Sequence, residues 1–374
     1  MPGWHAKTKD LVARGELTVL GIVEEQHPDR AKLFMQWQQM GWKVLSDPLN
    51  LLGVDAIPHT FLIDEHGIIR FKNPRSADFE SFLATDYQKP AKIDRPDISP
   101  AVDSAEHSLL WGGEAALDEA VGQLEKRTAA RPADAIPFFR LGVAYRMRFD
   151  STERQPGDFP KAVAAWRKAL ELNPSQYIWR RRIQQYGPRL DKPYSFYDWV
   201  NEAREVIIAR GEIPHRLAAE PGGSEFASSR EAKNSSGTAS HPDPGGKIPR
   251  DTLELVQVEQ TVVPSTDKSK PAFRVHLRFR PSGSKKVHWT NDAGALAFFA
   301  EMNPLVKIID QQPPPARPEE LTTDEERSVE FEVRPAGDSA QLPPSLTGAA
   351  FYYVCEDVNG VCQYLRQDIE IQLR

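Results

Sequence analysis

The spacing of apolar and polar positions changes character twice along the chain. Up to about residue 87 it is mixed: residues 17–23 (LTVLGIV) form a β-branched run suited to a buried strand, and residues 31–40 set Leu33, Phe34, Trp37 and Met40 on one face of a helix. Short strand runs follow at 44–46, 60–63 and 68–71, then a helix at 77–87; Glu65-His66-Gly67 supplies a tight turn between the last two strands. Strand–helix–strand order predicts a parallel pair, and the hairpin adds an antiparallel edge. From about 104 to 218 the apolar period is helical throughout. From 249 onward it is alternating: residues 273–280 put Phe273, Val275, Leu277 and Phe279 on one face, and comparable strands are expected at 253–258, 287–290, 328–333, 349–354, 362–365 and 369–373.

Pro90, Pro96 and Pro100 mark an extended connector between the first two parts, and the Ser-, Gly- and Pro-rich stretch 219–248 is expected to be a flexible linker, because it has too few large apolar residues to offset its ordering entropy. The expected fold class is therefore multidomain: an α/β part at 1–90, an all-α part at 104–218 and an all-β sandwich at 249–374.

Composition narrows the function classes. Lys plus Arg number 47 against 53 Asp plus Glu, a net charge of −6, which argues against bulk nucleic-acid binding. The run Trp179-Arg180-Arg181-Arg182 does not change that, since successive helical residues point in different directions. No apolar run approaches the roughly 18–20 residues of a membrane span. Two cysteines cannot build a Cys₄ zinc site, and no cofactor or metal site is expected. The chain begins without a basic-then-apolar leader pattern.

The segment 53–70 (GVDAIPHTFLIDEHGIIR) resembles the second half of thioredoxin-like proteins, nearest the redoxin class that includes alkyl hydroperoxide reductases and cytochrome-maturation thioredoxins. The resemblance covers about residues 1–87. It implies a cis bond before Pro58 and a Cys-x-x-Cys site falling on Met1-Pro2-Gly3-Trp4, where neither cysteine is present. Without a thiolate at the helix start there is no dithiol exchange at that position. The family's strand ahead of this site lies mid-sheet, so its absence from the sequence leads to the expectation of further residues upstream. Trp4, His5, Pro58 and His59 are expected to gather near the helix start, as packing residues of an inactivated site; His27 and His66 are expected in solvated turns.

In the helical part, residues 138–145 (FFRLGVAY) and 159–174 (FPKAVAAWRKALELNP) resemble the two helices of a tetratricopeptide repeat, with small residues Gly142, Ala144, Ala162 and Ala169 for close approach. Residues 148–158 read as an insertion, 115–132 as the second helix of a preceding repeat, and 177–186 and 195–209 as degenerate continuation helices. Such arrays need about three units to stand alone, so this one must lean on a neighbour. Its reading is either a concave surface for a protein partner or a spacer.

Both cysteines lie in residues 351–365 (FYYVCEDVNGVCQYL). A four-residue loop at 357–360 would set Cys355 opposite Cys362, with Phe351, Tyr353 and Tyr364 on the same face. A two-residue turn at Asn359-Gly360 would instead set Cys362 opposite Asp357 and preclude a bridge. The segment resembles the cysteine hairpin in the N-terminal sandwich domain of transmembrane thiol-disulfide interchange reductases, and the β-domain appended to some thioredoxin-like proteins. That resemblance implies a redox pair, Cys355 and Cys362, serving a protein client; the spacing is one residue longer than in the family. A bridged pair would suit an oxidising compartment and a reduced one the cytosol. His276 and His288 fall on or near polar strand faces and are too isolated to propose as ligands. Two functional expectations result: a thiol-disulfide or redoxin-type oxidoreductase (peroxiredoxin-like if active in its first part), or a non-catalytic scaffold docking a partner through its repeats.

Overall fold

A computed structural model describes residues 2–90, 104–188, 199–217, 243, 245–267, 269–291, 295–312, 322–337, 341–356 and 362–373. The expected connector and linker therefore fall largely outside the described residues. Among the described residues the protein combines helices with several antiparallel sheets and one parallel strand pair.

The first region runs α1 (Pro2–Ala13), β1 (Leu20–Val23), α2 (Asp29–Trp37), β2 (Lys43–Ser46), β3 (Phe61–Ile63), β4 (Ile69–Lys72) and α3 (Ser76–Leu83). Strands β1 and β2 are parallel, from Leu20 opposite Lys43 to Val23 opposite Ser46, whereas β3 and β4 form an antiparallel hairpin. They make two separate two-stranded sheets. The hairpin turn is set by Gly67 at φ 80° and by the Asp64 carboxylate, which accepts from the His66 and Ile68 amides and from Arg70. The Ile57–Pro58 bond is cis. Leu62, Phe79 and Phe82 make a small core here, edged by Trp4, Leu11, Leu17, Phe71 and Tyr87.

The helical region contains α4 (Ala105–Trp111), α5 (Leu117–Ala130), α6 (Ala135–Phe149), α7 (Asp158–Leu172), α8 (Tyr177–Gln184) and α9 (Trp199–Ala209). Helices α6 and α7 approach closely because Gly142 has no side chain: a Cβ there would lie 2.4 Å from the buried Trp166 indole. The start of α7 is tied to its neighbours by Asp158, fully buried, which takes both ends of the Arg148 guanidinium at 2.6 and 3.1 Å, while Arg148 also donates to Asp118 of α5 at 2.8 Å. A buried pair of this kind is costly to break from one side, because the orphaned charge stays desolvated.

Helix α9 packs against the first region. Its apolar stripe, Val200, Ala203 and Ile207, packs on Leu33 of α2, and Trp199 stacks on Trp37 at 5.8 Å and meets Phe34 edge-on at 5.2 Å.

The third region has β5 (Val256–Pro264), β6 (Phe273–Pro281), β7 (Val287–Thr290), β8 (Ala297–Ala300), β9 (Val306–Gln312), β10 (Thr322–Thr323), β11 (Arg327–Pro335), β12 (Ser345–Glu356) and β13 (Cys362–Gln372). One sheet has the order β5-β6-β11-β9; the other has β10-β7-β12-β13, with β8 also on β12. Val275, Leu277, Phe279 and Phe331 from the first sheet share one core with Trp289, Phe298, Tyr352, Val354 and Leu365 from the second. Three details differ from the sequence pattern. Strand β5 starts at Val256 rather than 253, because the Asp251 carboxylate binds the Leu255 and Val256 amides in a turn. The strands expected at 362–365 and 369–373 are one. Strands β8, β9 and β10 were not expected from the alternation.

Candidate functional site

On β12 and β13 the register sets Cys355 directly opposite Cys362, and the two are disulfide-bonded with Cα atoms 4.0 Å apart. The first of the two alternative pairings is therefore the one formed; the loop 357–361 itself lies outside the described residues. Strand parity fixes which way the pair faces. Val354 and its partner Trp289 on β7 point into the core, so Cys355 and its own β7 partner, His288, point to the opposite face together with Cys362. The result is a row across three strands, His288, Cys355, Cys362.

The rows beneath are aromatic. Tyr353 and Tyr364 are direct partners, stacked at 4.3 Å, and Phe351 lies 6.4 Å from Tyr364. The Arg366 guanidinium sits 5.9 Å over Phe351 and pairs with Asp243 at 3.2 Å and Asp368 at 2.6 Å. Burial, then the neighbouring Tyr353 and Asp243, push the Tyr364 phenol up. The sulfur-bearing residues differ in access: Cys355 is 4% exposed, whereas Cys362 is exposed.

The residues expected at the degenerate thioredoxin position make the following contacts. Met1 lies outside the described residues, and Pro2, Gly3 and Trp4 form the first turn of α1. Trp4 meets Phe79 edge-on at 5.3 Å, and His5 meets Trp42 at 5.6 Å. Pro58 precedes His59, which stacks near Phe61 and lies 3.4 Å from Asn73. No hydrogen bond, ion pair or ring contact among the described residues joins Trp4 or His5 to Pro58 or His59.

A second polar centre lies where the three regions meet, around Tyr186 just after α8. Its hydroxyl is hydrogen-bonded to His27 at 3.0 Å, its ring is stacked on Trp166, and the Arg146 guanidinium lies 4.6 Å over it. His276 of β6 donates to the Tyr186 carbonyl at 2.8 Å and lies 3.1 Å from the Glu330 carboxylate. Arg182, 1% exposed, donates to the Glu24 and Pro48 carbonyls and to Gln26, tying the ends of β1 and β2 to α8. Burial, reinforced by Arg146, Arg30 and Arg182, pushes His27 down to about 2, so it is neutral. Burial and the adjacent Asp47 raise Glu24 to about 8. Burial alone would raise Glu330, but His276, Arg274 and Arg278 hold it well below the usual carboxylate range.

An expectation is corrected here: His27 is buried rather than solvated; His276 keeps the face expected of it, off the sandwich core, but the helical region covers that face of β6. His66 is also not free in solvent, with its Nε2 3.0 Å from the Tyr87 carbonyl. Nothing in the local sequence of these histidines announces a covering layer. Among the described residues, no group of three or more His, Cys, Asp or Glu is placed to hold a metal ion, and no helix is long and apolar enough to cross a membrane. In comparison with known proteins, no family model matches the chain, and neither a curated protein nor a solved structure does.

Proposed function

We propose that the protein takes part in thiol–disulfide exchange through the Cys355–Cys362 cystine, with a polypeptide dithiol as its client. Around that centre we read the first region as thioredoxin-like without its own cysteines, the helices as tetratricopeptide-like and the third region as a sandwich. The observation that carries the reading is the asymmetric cystine, one residue exposed and its partner nearly buried, set in a row above paired tyrosines. An incoming client thiolate attacks the sulfur of Cys362, the S–S bond breaks and the electron pair leaves on the Cys355 sulfur. The client's second thiolate then attacks its own sulfur in the mixed disulfide, releasing Cys362. The client is oxidised by two electrons, and the cystine takes up those electrons with two protons.

The alternative, a scaffold docking a partner on its repeats, has less behind it. Trp179, Arg182 and Tyr186 on and after α8, the part best placed to extend such a surface, are buried within this chain. The test is mass-mapped alkylation of the full chain before and after a mild dithiol, with exchange onto a dithiol peptide followed in parallel. Ready opening of the bridge and loss of exchange in Cys362→Ser support the proposal; a bridge inert to the dithiol overturns it.

A further inference from the structure

His288 stands beside Cys355 on the strand opposite the one that carries Cys362. From this row we infer that His288 handles the charge and the proton of the Cys355 sulfur whenever the disulfide opens. The inference rests on the exchange reading above and adds to it a residue whose own sequence context gave no sign of a role.

Direct cross-strand neighbours hold their Cβ atoms about 4.5–5.5 Å apart, within reach of an imidazole on one side and a sulfur on the other. His288 is half-buried, and its ring makes no hydrogen bond or ion pair among the described residues. That is the arrangement expected of a group whose partner appears only on reduction, because a bonded sulfur offers no thiol proton. The other groups facing Cys355 do not compete for the role. Cys362 and Tyr364 face it from β13 and Tyr353 from its own strand, and burial pushes the Tyr364 phenol up, away from the neutral range. Arg366 lies beyond Tyr364 and is already engaged by Asp243 and Asp368. Glu356 has the parity of Val354 and points the other way. Imidazole is the side chain that changes charge between pH 5 and 8.

The chemistry needs such a group. In the first step the electron pair leaves on Cys355, the buried partner, and desolvation disfavours a thiolate there. An imidazolium alongside offsets that charge, then gives up its proton as the thiol forms.

The experiment uses the full chain carrying Cys362→Ser, so that Cys355 is the lone thiol, with and without His288→Gln. Thiolate absorbance near 240 nm is followed from pH 4 to 10. With His288 present, the thiolate should appear at least one unit below the ordinary value of about 8.5; His288→Gln should move it to that value or above. In the chain with both cysteines, His288→Gln should slow bridge opening by a dithiol about tenfold at pH 6.5, the rate equivalent of one pKa unit, and leave it unchanged near pH 9. Superimposable profiles overturn the inference. If His288→Gln fails to fold, His288→Lys carries the measurement: a low-pH thiolate retained beside the substituted cation supports the inference, and its loss overturns it. Should the wild-type bridge resist the dithiol at every pH, the exchange reading falls; if it opens and only the two profiles coincide, this inference alone falls.

Discussion

The first and third regions both contain sheets, yet they bury their strands differently. In the third, two sheets face each other and the apolar side of every long strand is closed: Leu277, Phe279 and Phe331 are fully buried. In the first, two small sheets stand apart, and Leu20, Ile63 and Ile69 are 51, 54 and 57% exposed. Apolar strand residues thus close into a core only where a second layer arrives. What order the first region has is partly lent by its neighbours. Leu49 enters the core of the helical region, Arg182 and Gln176 hold its loops, and α9 covers α2.

This contrast can be broken at several points. The largest effect is expected from Arg182→Ala, which strips the donor from the Glu24 and Pro48 carbonyls and should cost about 1–3 kcal/mol for each acceptor left unsatisfied. Amide exchange should show β1 and β2 losing protection while β6 and β11 keep theirs; uniform loss would mean the first region does not depend on this clamp. Next, Leu277→Ala should cost about 2–5 kcal/mol in denaturant unfolding, as a cavity in a closed core does. Gly142→Ala, which drives a methyl into the Trp166 indole, should cost about 1–3 kcal/mol, read as a drop in melting temperature.

The pH profile probes the junction between regions. The unfolded chain protonates His27 below 6.5, whereas the folded chain holds it neutral to about 2, so stability falls as pH drops below 6.5. Glu24 acts with the opposite sign. The folded chain keeps its proton up to about 8 while the unfolded chain releases it above 4.5, so stability falls as pH rises from 4.5 to 8. Between 4.5 and 6.5 the two slopes oppose each other. Denaturant midpoints should therefore peak in that window and decline on both sides; a profile rising steadily to pH 8 would dismiss the role of Glu24. The smallest effect is expected from Ile69→Thr, within about 0.5 kcal/mol, since the side chain is already in water. A loss comparable to that of Leu277→Ala would show that the first region's open face is covered in solution.

Local pattern made some of this legible and left the rest hidden for a physical reason. The alternation of 273–280 marked β6, the helical period marked α6 and α7, and the turn chemistry after Cys355 left the facing pair as one of two possibilities. Each of those signals lies within a single element or hairpin. The partners of His27, His276 and His288 are not of that kind. Tyr186 is 159 residues from His27 and 90 from His276, and Cys355 meets His288 only because β7 pairs with β12. Charged residues such as Arg182 and Arg274 look like surface positions in a sequence, since burial of a charge depends on partners brought from elsewhere. For the same reason the apolar stripe of α9 announced a helix but not the surface it would cover.

That last placement has a practical consequence for dissecting the molecule. Segments consecutive along the polypeptide are not the ones that shield one another: the chain leaves the first region, builds the helices, and returns with α9 to roof over Leu33 and Trp37. Trimming the protein after residue 188 would therefore bare an aromatic surface more than a hundred positions upstream of the cut. A fragment boundary that respects the packing has to keep residues 199–217 together with 29–37.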